Sequence, residues 1–172
     1  HIVVNRWAKN KQVYTFDAEI ELSLADTEEI KLPVRILDRL PYRTFYIEFA
    51  KDGIFASNFH GAFIHIAPEA CGYLVYIMRV KEDGRAMFGK TALVPEESDG
   101  VFLFSKSNIA SNDDISRNAD WQEFGLFLMN ALLYLCANNA QIQEAQTTKT
   151  TYRPTKTVKN KFSEVRKWEC GY

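Results

Sequence analysis

The longest apolar stretch of the chain, residues 120–138, constrains the fold more than any other feature. Apolar residues recur in it at three- and four-residue spacing, the period of an α-helix: Trp121, Phe124, Leu128, Leu132 and Leu135. Further apolar residues widen this stripe until it nearly encircles the helix, which is typical of a helix buried on more than one side. Asp120 followed by Glu123 predicts a capped start. Gly125 and Asn130 interrupt the run, which falls short of the roughly 20 residues that a bilayer requires. We therefore predict the central helix of a protein core.

Shorter apolar runs between turn residues predict the strands of a sheet. They are residues 34–37, 45–49, 54–66 (as one or two strands), 73–80, 86–94 and 101–104. The turn signals are Lys51-Asp52-Gly53 and residues 81–84. At 172 residues the chain is long enough for one core and too short for two. The prediction is a single α+β domain, residues 1–172, with an antiparallel sheet of about five to six strands packed against helix 120–138.

The stretch from Phe16 to Leu24 fits two structures. Strict alternation of apolar and polar residues favours a strand, whereas Phe16, Ile20 and Leu24 at four-residue spacing, after a possible N-cap at Asp17, favour a helix. The residues alone leave both readings open. The segment is also acidic, and we interpret its carboxylates as a solvated face: Asp17, Glu19, Glu21, Asp26, Glu28 and Glu29.

Charge and cysteine content exclude several classes of function. The formal net charge is −1, so the whole chain has no general attraction for nucleic acid or anionic membranes. Cys71, Cys136 and Cys170 are odd in number and lack metal-binding spacing, and we predict Cys136 to be a small buried hydrophobe. We expect no cofactor and no metal. With no visible signal peptide, we expect a cytoplasmic protein, and a fragment of a longer one.

Two histidines are the obvious candidates for acid–base or metal chemistry. His60 and His65 lie in strand-like runs, with Glu69 following. Residues five apart on a regular strand point to opposite faces, so the two rings cannot share a metal without a bend in the backbone. Packing or hydrogen bonding within the sheet is the favoured reading, and an enzyme based on these three residues is the lesser hypothesis.

The sequence after the central helix is poor in core residues and rich in lysine and threonine. We predict a mobile basic segment over residues 141–162. Its cations alternate with aromatic rings, as in proteins that track phosphates and stack bases: Lys149, Arg153, Lys156, Lys159 and Lys161. These residues support one hypothesis, an RNA- or ribosome-associated binding module, and an ordinary solvated tail is the competing interpretation.

Five stretches, taken in order, resemble the anti-CRISPR protein family that acts against type V-A CRISPR nucleases. They are residues 7–20, 40–49, 72–77, 131–137 and 165–172. The resemblance implies a C-terminal domain, or a phage or mobile-element homologue, of a non-enzymatic phage-encoded inhibitor. Such a protein would bind a protein or nascent-peptide segment of the nuclease in the bacterial cytoplasm and lower its expression. It also implies a shorter N-terminal helix within residues 17–29.

Peptide recognition needs a sheet edge and anchoring side chains of the kinds that dominate binding hot spots. The last segment of the chain contains side chains of these kinds. We predict that it binds the partner through four residues: Arg166, Lys167, Trp168 and Tyr172.

Overall fold

The structure is a computed structural model that describes residues 2–95, 99–105, 119–137, 142–144 and 157–160. Three α-helices lie in this part of the chain: α1 (Ile2–Asn10), α2 (Ala18–Ala25) and α3 (Ala119–Cys136). One 3-10 helix spans Val34–Arg39. The strands are β1 (Val13–Thr15), β2 (Glu29–Pro33), β3 (Thr44–Glu48), β4 (Phe59–Glu69), β5 (Gly72–Lys81), β6 (Ala86–Leu93), β7 (Val101–Ser105), β8 (Ile142–Glu144) and β9 (Thr157–Asn160).

The main sheet has the strand order β6-β5-β4-β3-β1, extended beyond β1 by β9 and β8. Strands β3, β4, β5 and β6 pair antiparallel with one another in that order, whereas β1 pairs parallel with both β3 and β9. Strands β2 and β7 form a separate antiparallel pair. The predicted α+β class is confirmed. Strand β1 adds parallel pairing to the predicted antiparallel sheet, and it was not among the predicted strands because, like α1, it precedes them in the chain.

Helix α3 is the centre of the core. The residues from Phe124 to Met129 are all buried, and six consecutive residues cover every direction around a helix. Phe124 and Phe127 pack against Phe49 and Phe55, with ring centroids 5.2–6.2 Å apart. On another side, α3 contacts α2, β2 and the 3-10 helix. It thus lies between the main sheet and a second layer, as its encircling apolar pattern predicts.

The inner face of the main sheet, which is turned toward α3, also buries an arginine. Arg79 of β5 is fully buried, with its guanidinium carbon 3.8 Å from the centre of the Trp121 ring and 4.1 Å from that of Phe59. Gly89 on β6 makes room for Trp121, because an added Cβ would lie 3.0 Å from the indole. The aromatic rings stabilise this cation by cation–π contact. The sequence pattern did not predict it, since Arg79 occupies an ordinary alternating position of a strand.

Several local predictions were wrong. Residues 34–37 form part of the 3-10 helix, and the strand of that region is β2, just before Pro33. Residues 54–58 form turns, so that β4 begins at Phe59 and continues to Glu69. Helix α3 begins at Ala119 and ends at Cys136, which places Asp120 inside the helix.

The ambiguous acidic stretch is a helix, as the family resemblance implied. Asp17 stands at the N-cap position of α2 with extended backbone angles, although its side chain makes no capping hydrogen bond. Most of the carboxylates are exposed, but Glu21 is fully buried, so the solvated-face interpretation was wrong for that residue. The segment predicted to be mobile, 141–162, contains β8 and β9, and the rest of it lies outside the described residues.

Candidate protein-binding surface

The outer face of the main sheet is the face turned away from α3. Side chains alternate across strands β4, β5 and β6, so every second residue points outward. The outward residues of β5 are half-buried and apolar: Leu74, Tyr76, Met78 and Val80. Beside them on β6, Phe88 is 54% exposed. A row of large apolar side chains on a sheet face makes that face a candidate binding surface.

Helix α1 covers one part of this outer face. It packs against β3 and β4, and reaches β5 less extensively. Its anchor is Trp7, whose ring contacts Phe63 edge-on at 5.2 Å and Tyr46 at 6.4 Å between centroids. The Trp7 indole N–H donates to the carbonyl of Gln12 at 2.8 Å, which ties the helix to the start of β1. Val3, one turn earlier, is buried. The apolar i, i+4 pair therefore fixes α1 on the sheet.

His65 lies at the border between the covered and uncovered parts. Its Nδ1 is 2.7 Å from the hydroxyl oxygen of Thr44, and its ring stacks on Tyr76 with centroids 6.0 Å apart. Partial burial lowers the pKa of His65, and the positive charge of Arg6 lowers it further. The lowered pKa favours the neutral form of a ring that is hydrogen-bonded and stacked, which agrees with the packing interpretation for His65.

The three residues of the enzyme hypothesis do not come together. His60 is exposed at the β-bulge between Phe59 and Gly61, where β4 shifts register against β5. His65 follows five residues later on the same strand, and Glu69 stands at the strand end, about 13 Å beyond it at strand rise. No group of three His, Cys, Asp or Glu residues placed to hold a metal occurs among the described residues.

A cavity opens at one end of the outer face, beside the bulge of β4. It has a volume of about 580 Å³, and its polar lining residues are Tyr46, His60, Lys51, Glu48 and Glu82. Burial, and then the nearby charge of Glu48, raise the pKa of Tyr46 to about 12, so its hydroxyl stays protonated. With charges of both signs around it, the cavity can accept a hydrogen-bonding side chain, but these groups do not form a nucleophile–base pair.

The residues predicted to bind a partner lie outside the described part of the chain. This holds for Arg166, Lys167, Trp168 and Tyr172, and likewise for Lys149, Arg153, Lys156 and Lys161. Lys159 lies in β9, where its backbone pairs with Gln143 of β8. Their roles stay predictions.

The outer face of the sheet was not predicted from the sequence, because helix α1, which defines that face, was not predicted. A signal was present, since Val3 and Trp7 have helical spacing, but residues 2–14 also contain polar residues that obscure it. The exposed position of Phe88 depends on which face of β6 is covered, and no local pattern reveals that.

Two further findings concern the reactivity of Cys136 and the possibility of a membrane-spanning helix. Cys136 is buried, as predicted, and desolvation raises the pKa of its thiol to about 12, which makes it unreactive. Among the described residues, no helix is long and apolar enough to cross a membrane.

Comparison with known proteins connects this fold with one family. A family model described as AcrVA2-like, the anti-CRISPR type V subtype A2 family, matches residues 14–172. No curated protein sequence matches the chain. A crystal structure of AcrVA2 is similar, with a TM-score of 0.50 and 15% sequence identity, and the match covers 92% of this chain and 59% of that chain. At this identity the structural match supports the fold alone.

Proposed function

This chain belongs to the AcrVA2-like anti-CRISPR family, and we propose that it inhibits a type V-A CRISPR nuclease by binding protein, without catalysis. The observation that carries the proposal is the match of the family model from Tyr14 to the last residue, Tyr172. The chain spans 59% of the length of the AcrVA2 structure that it resembles.

The more specific part of the proposal is the target. We propose that the chain recognises a nascent peptide of the nuclease in the bacterial cytoplasm and thereby lowers the expression of the nuclease. Peptide recognition by a sheet uses backbone hydrogen bonds at an edge and pockets for alternate side chains. Strand β6 is the last strand at one end of the main sheet order, and it carries the exposed Phe88. The closing residues Arg166 and Trp168 would supply further anchors of the hot-spot types.

The decisive experiment distinguishes recognition of the N-terminal peptide of the nuclease from recognition of the nuclease mRNA. Bacteria that express a type V-A nuclease would receive this protein, and the level of nuclease protein and of its mRNA would be measured together with immunity against a plasmid. The nuclease gene would be tested in three forms: native, recoded with synonymous codons, and altered in the N-terminal amino acids. We expect the synonymous form to remain sensitive and the altered peptide to escape. Escape of the synonymous form would contradict peptide recognition.

A second arm tests inhibition after synthesis. Purified protein would be added to assembled nuclease in a DNA cleavage assay. Loss of expression in cells with no effect on the assembled enzyme supports action during synthesis. Inhibition of the assembled enzyme at unchanged expression would refute the expression mechanism while leaving the inhibitor role intact.

The RNA- or ribosome-associated alternative makes a different prediction for the basic segment. If the segment binds RNA, affinity falls steeply with salt, and alanine at Lys156, Lys159 and Lys161 flattens that dependence. If it binds a peptide, Trp168→Ala abolishes an interaction that depends little on salt. Ribosome pelleting at low and high salt, with RNase-treated and untreated samples, distinguishes the two.

A further inference from the structure

Three neighbouring strands of the main sheet end on the same side of the molecule. Strand β1 pairs parallel with β3 on one flank and with β9 on the other, so all three run in one direction. In open sheets, the crevice beyond the carboxyl ends of parallel strands is a common binding site, because the segments that leave the strands line it. Here those segments are the start of α2 after β1, the turn after β3, and the residues that follow β9.

A cavity of about 480 Å³ lies at these carboxyl ends, between the start of α2 and the turn after β3. The ionisable residues that line it are all acidic, with Asp17 and Glu19 at the start of α2 and Asp52 in the turn. All three are exposed. The apolar part of the lining includes Ala18 and Ile20. The cavity therefore combines a small apolar surface with negative charge.

The acidic residues of α2 have a local explanation, whereas Asp52 does not. Carboxylates at the start of a helix stabilise it, which accounts for Asp17 and Glu19. Asp52 belongs to another element. Burial raises the pKa of the nearby Glu21, and the charge of Asp52 adds to that rise. Lys51, its neighbour in the chain, lines the cavity beside the bulge of β4 instead. No cation among the residues that line the acidic cavity offsets the charge of Asp52.

The register of β9 indicates where the basic segment begins. Tyr14 of β1 is level with Val158 of β9, and the two strands run parallel. Three residues further along each strand, the same register places Lys161 level with Asp17. Neighbouring strands are about 4.8 Å apart, a distance that a lysine side chain spans. Lys161 and Phe162 lie outside the described residues, and we infer their place from the strand that leads to them.

We propose that the acidic cavity binds the residues that follow β9 in the same chain, with Lys161 against the carboxylates and Phe162 on the apolar lining. An exposed ion pair is weak by itself. Here the pairing of β9 with β1 holds the two partners close together, which gives them a high effective concentration. The contact determines where the last segment of the chain, which carries Arg166 and Trp168, leaves the sheet.

The lysines on the two sides of β9 therefore differ in role. Lys161 follows the strand and is held by carboxylates, which withdraws it from contact with phosphate groups. Lys156 precedes the strand, so it enters from the opposite end of the sheet. The inference is independent of the anti-CRISPR role, because it depends only on strand direction and on the lining of the cavity.

The test is zero-length cross-linking of the full chain with a carbodiimide, which joins a carboxylate to a lysine amine when the two are in contact. Mass spectrometry of the digested protein identifies the joined residues. We expect Lys161 to be joined to Asp17, Glu19 or Asp52, and Lys156 not to be joined to them. Coupling of neither lysine to these carboxylates, or equal coupling of both, would overturn the proposal.

A mixture of isotopically labelled and unlabelled protein separates contact within one chain from contact between chains. Cross-links in which both peptides carry the same label support the proposal. Cross-links that join a labelled peptide to an unlabelled one in the statistical proportion would overturn it and assign the cavity to a second copy of the chain.

Charge reversal tests the electrostatic part of the contact. Asp52→Lys should make trypsin cleave after Lys161 about two- to fivefold faster, the size expected when an exposed ion pair is lost. Adding Lys161→Glu to Asp52→Lys should restore the cross-link between the two positions, with amine and carboxylate exchanged. Asp26→Lys is the matched control, because Asp26 is exposed at the other end of α2, and it should leave the cleavage rate unchanged.

Circular dichroism confirms that each variant is folded. Three results with folded variants would contradict the proposal: an unchanged cleavage rate in Asp52→Lys, the same increase in Asp26→Lys, and no cross-link between positions 52 and 161 in the double variant.

Discussion

The buried carboxyl group of Glu21 should make the stability of this protein depend on pH in a direction opposite to that of most acidic residues. Glu21 is fully buried on α2, and one of its oxygens accepts a hydrogen bond from the backbone N–H of Ala50 at 2.9 Å. Gly53 approaches the other oxygen so closely that an added Cβ would lie 2.0 Å from it. The side chain thus holds the turn that follows β3 against α2.

The size of the effect follows from the pKa. Burial raises the pKa of Glu21 from 4.5 to about 7, the backbone hydrogen bonds from Ala50 and Ile54 oppose this increase, and the charge of Asp52 adds to it. Because the folded state holds its proton more tightly than the unfolded state, the contribution of Glu21 is fully present below pH 4.5 and is lost as the pH rises to about 7. At about 1.4 kcal/mol for each pKa unit, the free energy of unfolding falls by about 2 to 3 kcal/mol between about pH 5 and about pH 8.

Glu21→Gln removes this titration while keeping the shape of the side chain and an oxygen that accepts from Ala50. Unfolding by urea would be measured for the native protein and the variant at about pH 5, 6, 7 and 8. The native protein should lose about 2 to 3 kcal/mol relative to the variant across this range. All other titrating groups are common to both proteins and cancel in the difference.

Glu19→Gln is the matched control, because Glu19 is an exposed residue of the same helix. Two results would contradict a raised pKa of Glu21. One is a difference in the free energy of unfolding between Glu21→Gln and the native protein that stays constant with pH within about 0.5 kcal/mol, and the other is the same pH dependence for Glu19→Gln.

Three further predictions concern packing and can be measured by urea or thermal unfolding. Gly61→Ala should destabilise the fold by about 1 to 3 kcal/mol, because the new Cβ would lie 2.3 Å from both the carbonyl oxygen of Ile47 and the hydroxyl of Tyr46; an unchanged midpoint would contradict that close approach. Asn130→Ala should cost about 1 to 2 kcal/mol, since its amide donates to the carbonyl of Leu24 at 2.7 Å; a neutral result would show that the bond does not hold α2 to α3. Phe127→Ala should cost about 3 to 5 kcal/mol by opening a cavity among the core rings, and a loss below 1 kcal/mol would mean that the core collapses to fill it.

The sequence determined the central helix because a helix buried on all sides must be apolar on all sides. No other stretch of the chain has that property, so α3 and the strands with clear turns between them could be predicted from periodicity alone. The hairpin of β5 and β6 is an example, since Met78 and Phe88 lie in alternating runs joined by the predicted turn at residues 81–84. The family resemblance, also carried by the sequence, resolved the helix at Ala18–Ala25 that periodicity left open.

Only the tertiary structure decided which individual polar residues are buried and which apolar residues are exposed. Glu21 looks like its solvated neighbours in the sequence, and its burial arises because the turn at Ala50 closes over that face of α2. Phe88 looks like any outward residue of a strand, and its exposure arises because α1 covers β3 and β4 instead. Local patterns report the period of an element and hence its faces, but what packs on each face depends on residues that are distant in the chain.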